Sequence, residues 1–166
     1  MKIFCCPVCG QPLTFAEKEA FCPGGHRFDR ARQGYFNLLQ SQASAARRHG
    51  DDRLMVEART RFLEQGFYEP LRSCLAELAV EYAPSPCAVL DAGCGEGYYT
   101  QGIAQALAEA GKAPHIAAID ISRDSAKAGA RRPFAQQGVV ARAFRLLGHR
   151  EGATRLGGVP YNHIPS

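Results

Sequence analysis

Val89-Leu90-Asp91-Ala92-Gly93-Cys94-Gly95-Glu96-Gly97 is the stretch that decides the fold of this 166-residue chain. Apolar residues run into an acid, and three glycines then alternate with other residues. Together with Cys87 and Ala88, the residues Val89 and Leu90 make a short, fully apolar strand. A helix is expected to follow from about Tyr98 to Ala110, closed by Gly111. A second apolar strand, His115 to Ile119, ends at Asp120, and Ser122 is placed to cap a further helix over 123–131. Strand, glycine turn, helix and strand make a βαβ unit, so the fold class is α/β and a parallel sheet begins here.

A glycine turn between strand and helix lets backbone approach a ligand closely. The nicotinamide and flavin fingerprint spaces its glycines G-x-G-x-x-G around a pyrophosphate. Here the glycines alternate and an acid precedes them, which suits a ligand with a positively charged amino-acid end and no phosphate. S-adenosylmethionine is such a ligand. Asp120 stands 23 residues beyond Gly97 at a strand end, where a carboxylate can accept both hydroxyls of a ribose. Asp91, Gly93, Gly95, Gly97 and Asp120 are therefore the candidate cofactor residues. A dinucleotide site and a purely structural turn are the alternatives.

Upstream, Leu71, Cys74, Leu75, Leu78, Ala79 and Tyr82 recur at helical spacing from about Pro70, and Pro84 and Pro86 stop that helix. An earlier helix begins after Asp51 or Asp52, either of which can cap it. Leu54, Ala58 and Phe62 are its expected apolar face, with Gly66 at its end. Residues 39–50 have no periodicity and read as a linker.

The first 38 residues are rich in turn formers and have no core of their own, so they need a staple. Cys6-Pro7-Val8-Cys9 and Cys22-Pro23-Gly24-Gly25-His26 supply one, as C-x2-C-x12-C-x3-H. Three sulfurs and an imidazole complete a tetrahedral zinc site with no open position, which makes it structural. Cys5 competes with Cys6 for the first place, but its spacing to Cys9 fits the turn less well. Cys74, Cys87 and Cys94 are expected to be buried free thiols.

A hydrophobic content of 46% and a charged content of 22% exclude a disordered tail or a collagen-like rod. No apolar run reaches the roughly 20 residues of a bilayer span, and the N-terminus has no signal-peptide core, so no membrane is expected and a cytoplasmic location is. The net charge of +4 depends on residues 121–166, which carry eight Lys/Arg against two acids. Much of that stretch has no strand or helix period, so the charge is not counted as evidence for RNA binding.

These constellations, in this order, resemble the bacterial methyltransferases that methylate N1 of a guanine in 23S ribosomal RNA, a zinc finger followed by a Rossmann-type domain. The resemblance runs from Cys6 to about Arg132. It rests on Cys22-Pro23…His26…Phe28-Asp29, Gly34-Tyr35…Asn37-Leu38-Leu39, Ala58-Arg59…Phe62-Leu63…Gly66…Tyr68…Pro70-Leu71, and above all Leu90-Asp91…Gly93-Cys94-Gly95-Glu96-Gly97-Tyr98-Tyr99-Thr100. It implies that Cys6, Cys9, Cys22 and His26 hold one zinc, and that Tyr68, Gly95 and Glu96 contact S-adenosylmethionine. It also implies a 23S rRNA hairpin as partner, helped by the finger, and admits a homodimer. On residue type alone Tyr68 reads as packing and Glu96 as a solvated loop acid. Arg47, Arg48, Arg53, Arg59 and Arg61 read either as phosphate contacts or as a solvated face. No residue is assigned as acceptor of the guanine N1 proton, and a zinc-finger RNA-binding fragment without catalysis is the second reading.

A βαβ unit takes about 30 residues, so the chain beyond Cys87 has room for a partial methyltransferase sheet only, over 87–146. Val139-Val140-Ala141 still resembles the family's third strand, whereas 147–166 has Gly, Arg and Pro with no period. The expectation is a truncated member, with a frame change or premature end between about Pro133 and Leu147. Such a sheet leaves an unpaired edge and exposed apolar surface.

Overall fold

The computed structural model describes residues 4–39 and 50–143. The segment 147–166 and most of the linker, with Arg47 and Arg48, lie outside the described residues. Among the described residues, no helix is long and apolar enough to cross a membrane.

The first module is a zinc ribbon: strands β1 (Thr14–Phe15), β2 (Glu19–Phe21) and β3 (Arg27–Asp29) pair antiparallel in that order. Such short strands bury little, and Ala20 and Leu13 are the apolar residues they enclose. β4 (Phe36–Asn37) follows and belongs to a different sheet.

Helices α1 (Arg53–Leu63) and α2 (Glu69–Tyr82) lead into β5 (Cys87–Ala92), α3 (Tyr98–Glu109), β6 (Pro114–Asp120), α4 (Arg123–Gly129), a 3-10 turn at Pro133–Gln136 and β7 (Val139–Arg142). The second sheet runs β4-β7-β6-β5, with every pair parallel. Its central strands β6 and β7 are near-continuous apolar runs and the most buried of the four. Alternate residues go to opposite faces. Ile116, Ala118 and Val140 meet Ala104, Ala126 and Phe134 on the helical side, while Ile119 and Ala141 meet Phe36, Leu38, Leu13 and the ligand cysteines Cys6 and Cys22 on the ribbon side. Ribbon and sheet therefore share one apolar cluster. This is a mixed α/β architecture with a zinc ribbon followed by a partial Rossmann-like sheet.

Local signals set the element ends. Ser122 accepts from the Ser125 amide at 3.1 Å and caps α4, Gly111 closes α3 with φ of 71°, and α2 ends before Pro84 with Ala83 already extended. Asp52, not Asp51, caps α1, accepting from Met55 N at 3.0 Å.

Three expectations are corrected. The buried residues of α1 are Val56 and Leu63, whereas Leu54 is 67% exposed and Phe62 and Ala58 face outward. Apolar residues occur all round this helix, and the side it turns inward carries Arg59 toward a cleft. On α2 the stripe Leu71, Leu78 and Tyr82 is exposed, because the helix packs along α3 through Ala76 and the half-buried Leu75 and Ala79. Cys74 is exposed with that stripe, while Cys87 and Cys94 are buried as expected. Within the described residues β5 is an edge strand, and Leu90 on it is 43% exposed.

Candidate functional site

The ribbon's turns bring Cys6, Cys9, Cys22 and His26 together, with one ligand atom from each lying within 4.8 Å of the others. The Cys9 and Cys22 sulfurs are 3.6 Å apart, and Cys22 Sγ is 3.4 Å from His26 Nδ1. Tetrahedral zinc with bonds of about 2.3 Å to sulfur and 2.0–2.1 Å to nitrogen sets separations of about 3.8 and 3.5 Å, so the donors fit the ion. Gly24 lets the turn close tightly on the cluster, since a Cβ there would lie 3.2 Å from Cys9 Sγ. The Val8 amide points at Cys6 Sγ from 3.4 Å. Burial alone raises the Cys22 thiol, but its hydrogen bonds with His26, Cys9 and Cys6 outweigh that and hold it at about 6, so a thiolate is at hand near neutral pH. Cys5 is outside the cluster and pairs by backbone with Pro12.

The second site is a cleft of about 350 Å³ at the carboxyl ends of β5 and β6, where ligands bind in open parallel sheets. Gly93, Cys94, Gly95, Glu96 and Asp120 form one wall, with Tyr99, and Asp51, Arg59 and Leu63 form the other. Of the sequence-derived candidates, Gly93, Gly95, Glu96 and Asp120 line it. Asp91, Gly97 and Tyr68 do not. Tyr68 opens α2 and packs edge-on against Phe62 with ring centres 5.8 Å apart.

The glycine turn is held by its own amides. Gly93 N and Cys94 N donate to Ile119 O at 2.8 and 3.0 Å, Gly97 N donates to Cys94 O at 2.9 Å, and Gly95 N donates to Asp120 Oδ2 at 2.9 Å. The other Asp120 oxygen accepts from Ser122 N at 2.7 Å, which fixes the carboxylate at the strand end while each oxygen keeps a lone pair for a ligand. Asp91 sits behind the turn and accepts from Thr100 Oγ1 at 2.6 Å. Burial raises its pKa despite that hydrogen bond, and the Asp120 charge adds to the rise. Cys94 is pushed up by burial and by the Asp91 and Asp120 carboxylates, so it is no nucleophile.

Glu96 is not a solvated loop acid. It is 3% exposed, and its carboxylate takes Arg59 Nε at 2.9 Å. Arg59 reaches Asp51 with Nη1. Arg59 is therefore not part of a solvated arginine face, whereas Arg53 and Arg61 do lie on the exposed side of α1. The helical position of Arg59, three residues from Val56 and four from Leu63, is the signal that places it on the inward side.

A Cys3His ribbon joined to a parallel sheet with a glycine-rich, acid-rimmed cleft defines a partial Rossmann-like protein with an N-terminal metal-ligand module. Residues 4–47 match the zinc-ribbon family model described as "RlmA, N-terminal". The chain is 36% identical over 144 residues to the "Putative 23S rRNA (guanine-N(1)-)-methyltransferase" of Micromonospora griseorubida, which covers 76% of this chain and 46% of that protein. It is 35% identical over 153 residues to the "23S rRNA (guanine(748)-N(1))-methyltransferase" of Streptomyces fradiae, covering 91% of this chain and 52% of that protein. The chain is thus similar to these two proteins over most of its own length, and it spans about half the length of the curated relatives it matches.

Proposed function

We propose that this chain binds S-adenosylmethionine in the glycine cleft and serves methylation of guanine N1 in 23S ribosomal RNA. The observation that carries the reading is the chemistry of the cleft. The amides of Gly93, Cys94, Gly95 and Gly97 are already committed, so the glycines offer a poor cradle to a pyrophosphate. The lining carries the carboxylates of Asp51, Glu96 and Asp120 instead, which suits a ligand that is cationic and has no phosphate. The names of the two relatives support the same reading. Bound there, the cofactor supplies an electrophilic methyl group. Asp120 would hold the ribose hydroxyls, and Asp91, set behind the turn and bonded to Thr100, would favour the ammonium end through its charge rather than by contact, while Gly93, whose absent Cβ would meet nothing within 4 Å, leaves backbone open to approach. Guanine N1 carries a proton and must come in line with the methyl, so positioning and a base freed from pairing are what an RNA site has to provide. No side chain among the described residues is assigned as the proton acceptor. The rRNA hairpin as the form of the target, a homodimer and a cytoplasmic location belong to the same proposal.

Methyl transfer to 23S RNA with labelled cofactor tests it. Label on guanine N1 supports the proposal, whereas zinc and RNA binding without transfer would favour the non-catalytic RNA-binding reading.

Asp91→Asn offers a sharper test of the cofactor site. An acid whose pKa is raised by folding has its full stability below that pKa, and the ionised form costs stability above it. Asparagine keeps an acceptor for Thr100 and removes the charge, so the melting temperature at pH 7 is expected to hold or rise. Affinity for S-adenosylhomocysteine is expected to fall about tenfold, through loss of the carboxylate charge behind the turn rather than of a direct contact. A variant that loses stability and keeps affinity would make Asp91 a packing residue.

A further inference from the structure

We infer that Arg59 recognises the carboxylate of the cofactor's amino-acid end and so selects ligands that carry one. The inference rests on the cofactor reading above and extends it to a residue of the opposite wall. A zwitterionic amino acid needs a donor for its carboxylate as well as acids for its ammonium. The glycine turn has few donors to give, because four of its amides, those of Gly93, Cys94, Gly95 and Gly97, have partners within the protein. Among the described residues, Arg59 is the one cation that lines the cleft.

Its geometry is that of a fixed fork. Nε is held by Glu96 at 2.9 Å and Nη1 by Asp51, so two acids on different segments stop the guanidinium from turning. Glu96 comes from the glycine turn and Asp51 from the chain ahead of α1. Nη2 has no partner among the described residues and sits 3.5 Å from where a Gly95 Cβ would be. A larger residue at 95 would crowd it. Planar N–H groups aimed from a fixed base are suited to a carboxylate. The two acids also keep the net charge of the wall negative, so the site stays attractive to the ammonium and sulfonium while one atom pair takes the carboxylate.

Calorimetric titration of the full chain with S-adenosylmethionine and with its decarboxylated form, which differs only in that carboxylate, tests this. The unsubstituted chain is expected to prefer the carboxylated ligand at least tenfold. In Arg59→Gln the preference is expected to fall below about threefold, through weaker binding of S-adenosylmethionine alone. Because that variant leaves Glu96 buried without its partner, the neutral pair Arg59→Gln with Glu96→Gln is measured beside it and is expected to lose the preference too. An equal loss for both ligands, or a preference that survives both variants, overturns the inference and leaves Arg59 as a brace for Glu96. Failure of the unsubstituted chain to bind either ligand overturns the cofactor reading and this inference with it, whereas equal binding of both overturns this inference alone.

Discussion

Removing zinc is expected to unfold the parallel sheet together with the ribbon. Chelation, Cys9→Ala or His26→Ala should abolish the metal and move one cooperative melt down by at least about 10 °C, whereas Cys5→Ala should keep one zinc per chain and its melting temperature. Cys6 and Cys22 belong to the apolar cluster that contains Ile119 and Ala141 of the sheet. Phe15 carries the contact, with ring centres 5.1 Å from Phe4 and 4.9 Å from Phe36. Phe36 is itself in β4, paired with Ala141. Structural zinc contributes on the order of 10–16 kcal/mol in small zinc modules, as much as the whole net stability of about 5–15 kcal/mol of a typical domain. Loss of the ribbon uncovers one face of the sheet and strips β4 from β7. A shift of about 2–4 °C per kcal/mol for a chain of this size makes even a few kcal/mol visible. Metal content and circular dichroism during melting check it. Two separate transitions, with the sheet melting unchanged, would sink the idea.

That coupling could not be read from the sequence, and the reason is specific. Local signals are strong along 87–130: apolar strands, glycines at turns with positive φ, and Ser122 ahead of its helix all act within a few residues of themselves. The zinc set was legible because ligand spacing is local within each turn. Phe36-Asn37 is two residues long, and it is a strand only because β7 runs beside it more than a hundred positions later. The inward side of α1 was missed for a related reason. Leu54, Met55, Val56, Ala58, Phe62 and Leu63 leave no single apolar face, and the side that turns inward is partly polar because it borders a cleft. Periodicity finds a side that meets a core, not one that meets a ligand site. Glu96 shows the same limit, since its burial depends on Arg59, 37 positions away.

The three glycines of the motif look alike in sequence, and they are expected to separate when replaced by alanine. Gly97 has φ of 80° and opens α3. A Cβ there would lie 2.7 Å from Phe134 Cε1, and Phe134 is buried with its amide held by Gln101 at 2.9 Å. Left-handed strain of about 1–2 kcal/mol then adds to overpacking of about 1–3 kcal/mol. Gly97→Ala should therefore cost about 3 kcal/mol, or roughly 6–12 °C in melting temperature. Gly93 has φ of 86° and nothing within 4 Å of its absent Cβ, so alanine there bears the strain alone and should cost about half as much. Affinity for S-adenosylhomocysteine should follow the opposite order. The methyl at 93 enters the cleft a ligand approaches, whereas the methyl at 97 points away into the core, so the folded fraction of Gly97→Ala should bind nearly normally. Melting and titration of both variants decide it. If Gly97→Ala loses affinity in its folded fraction while Gly93→Ala keeps it, the ligand lies on the other side of the turn, and the cleft between Arg59 and Asp120 is not where the cofactor binds.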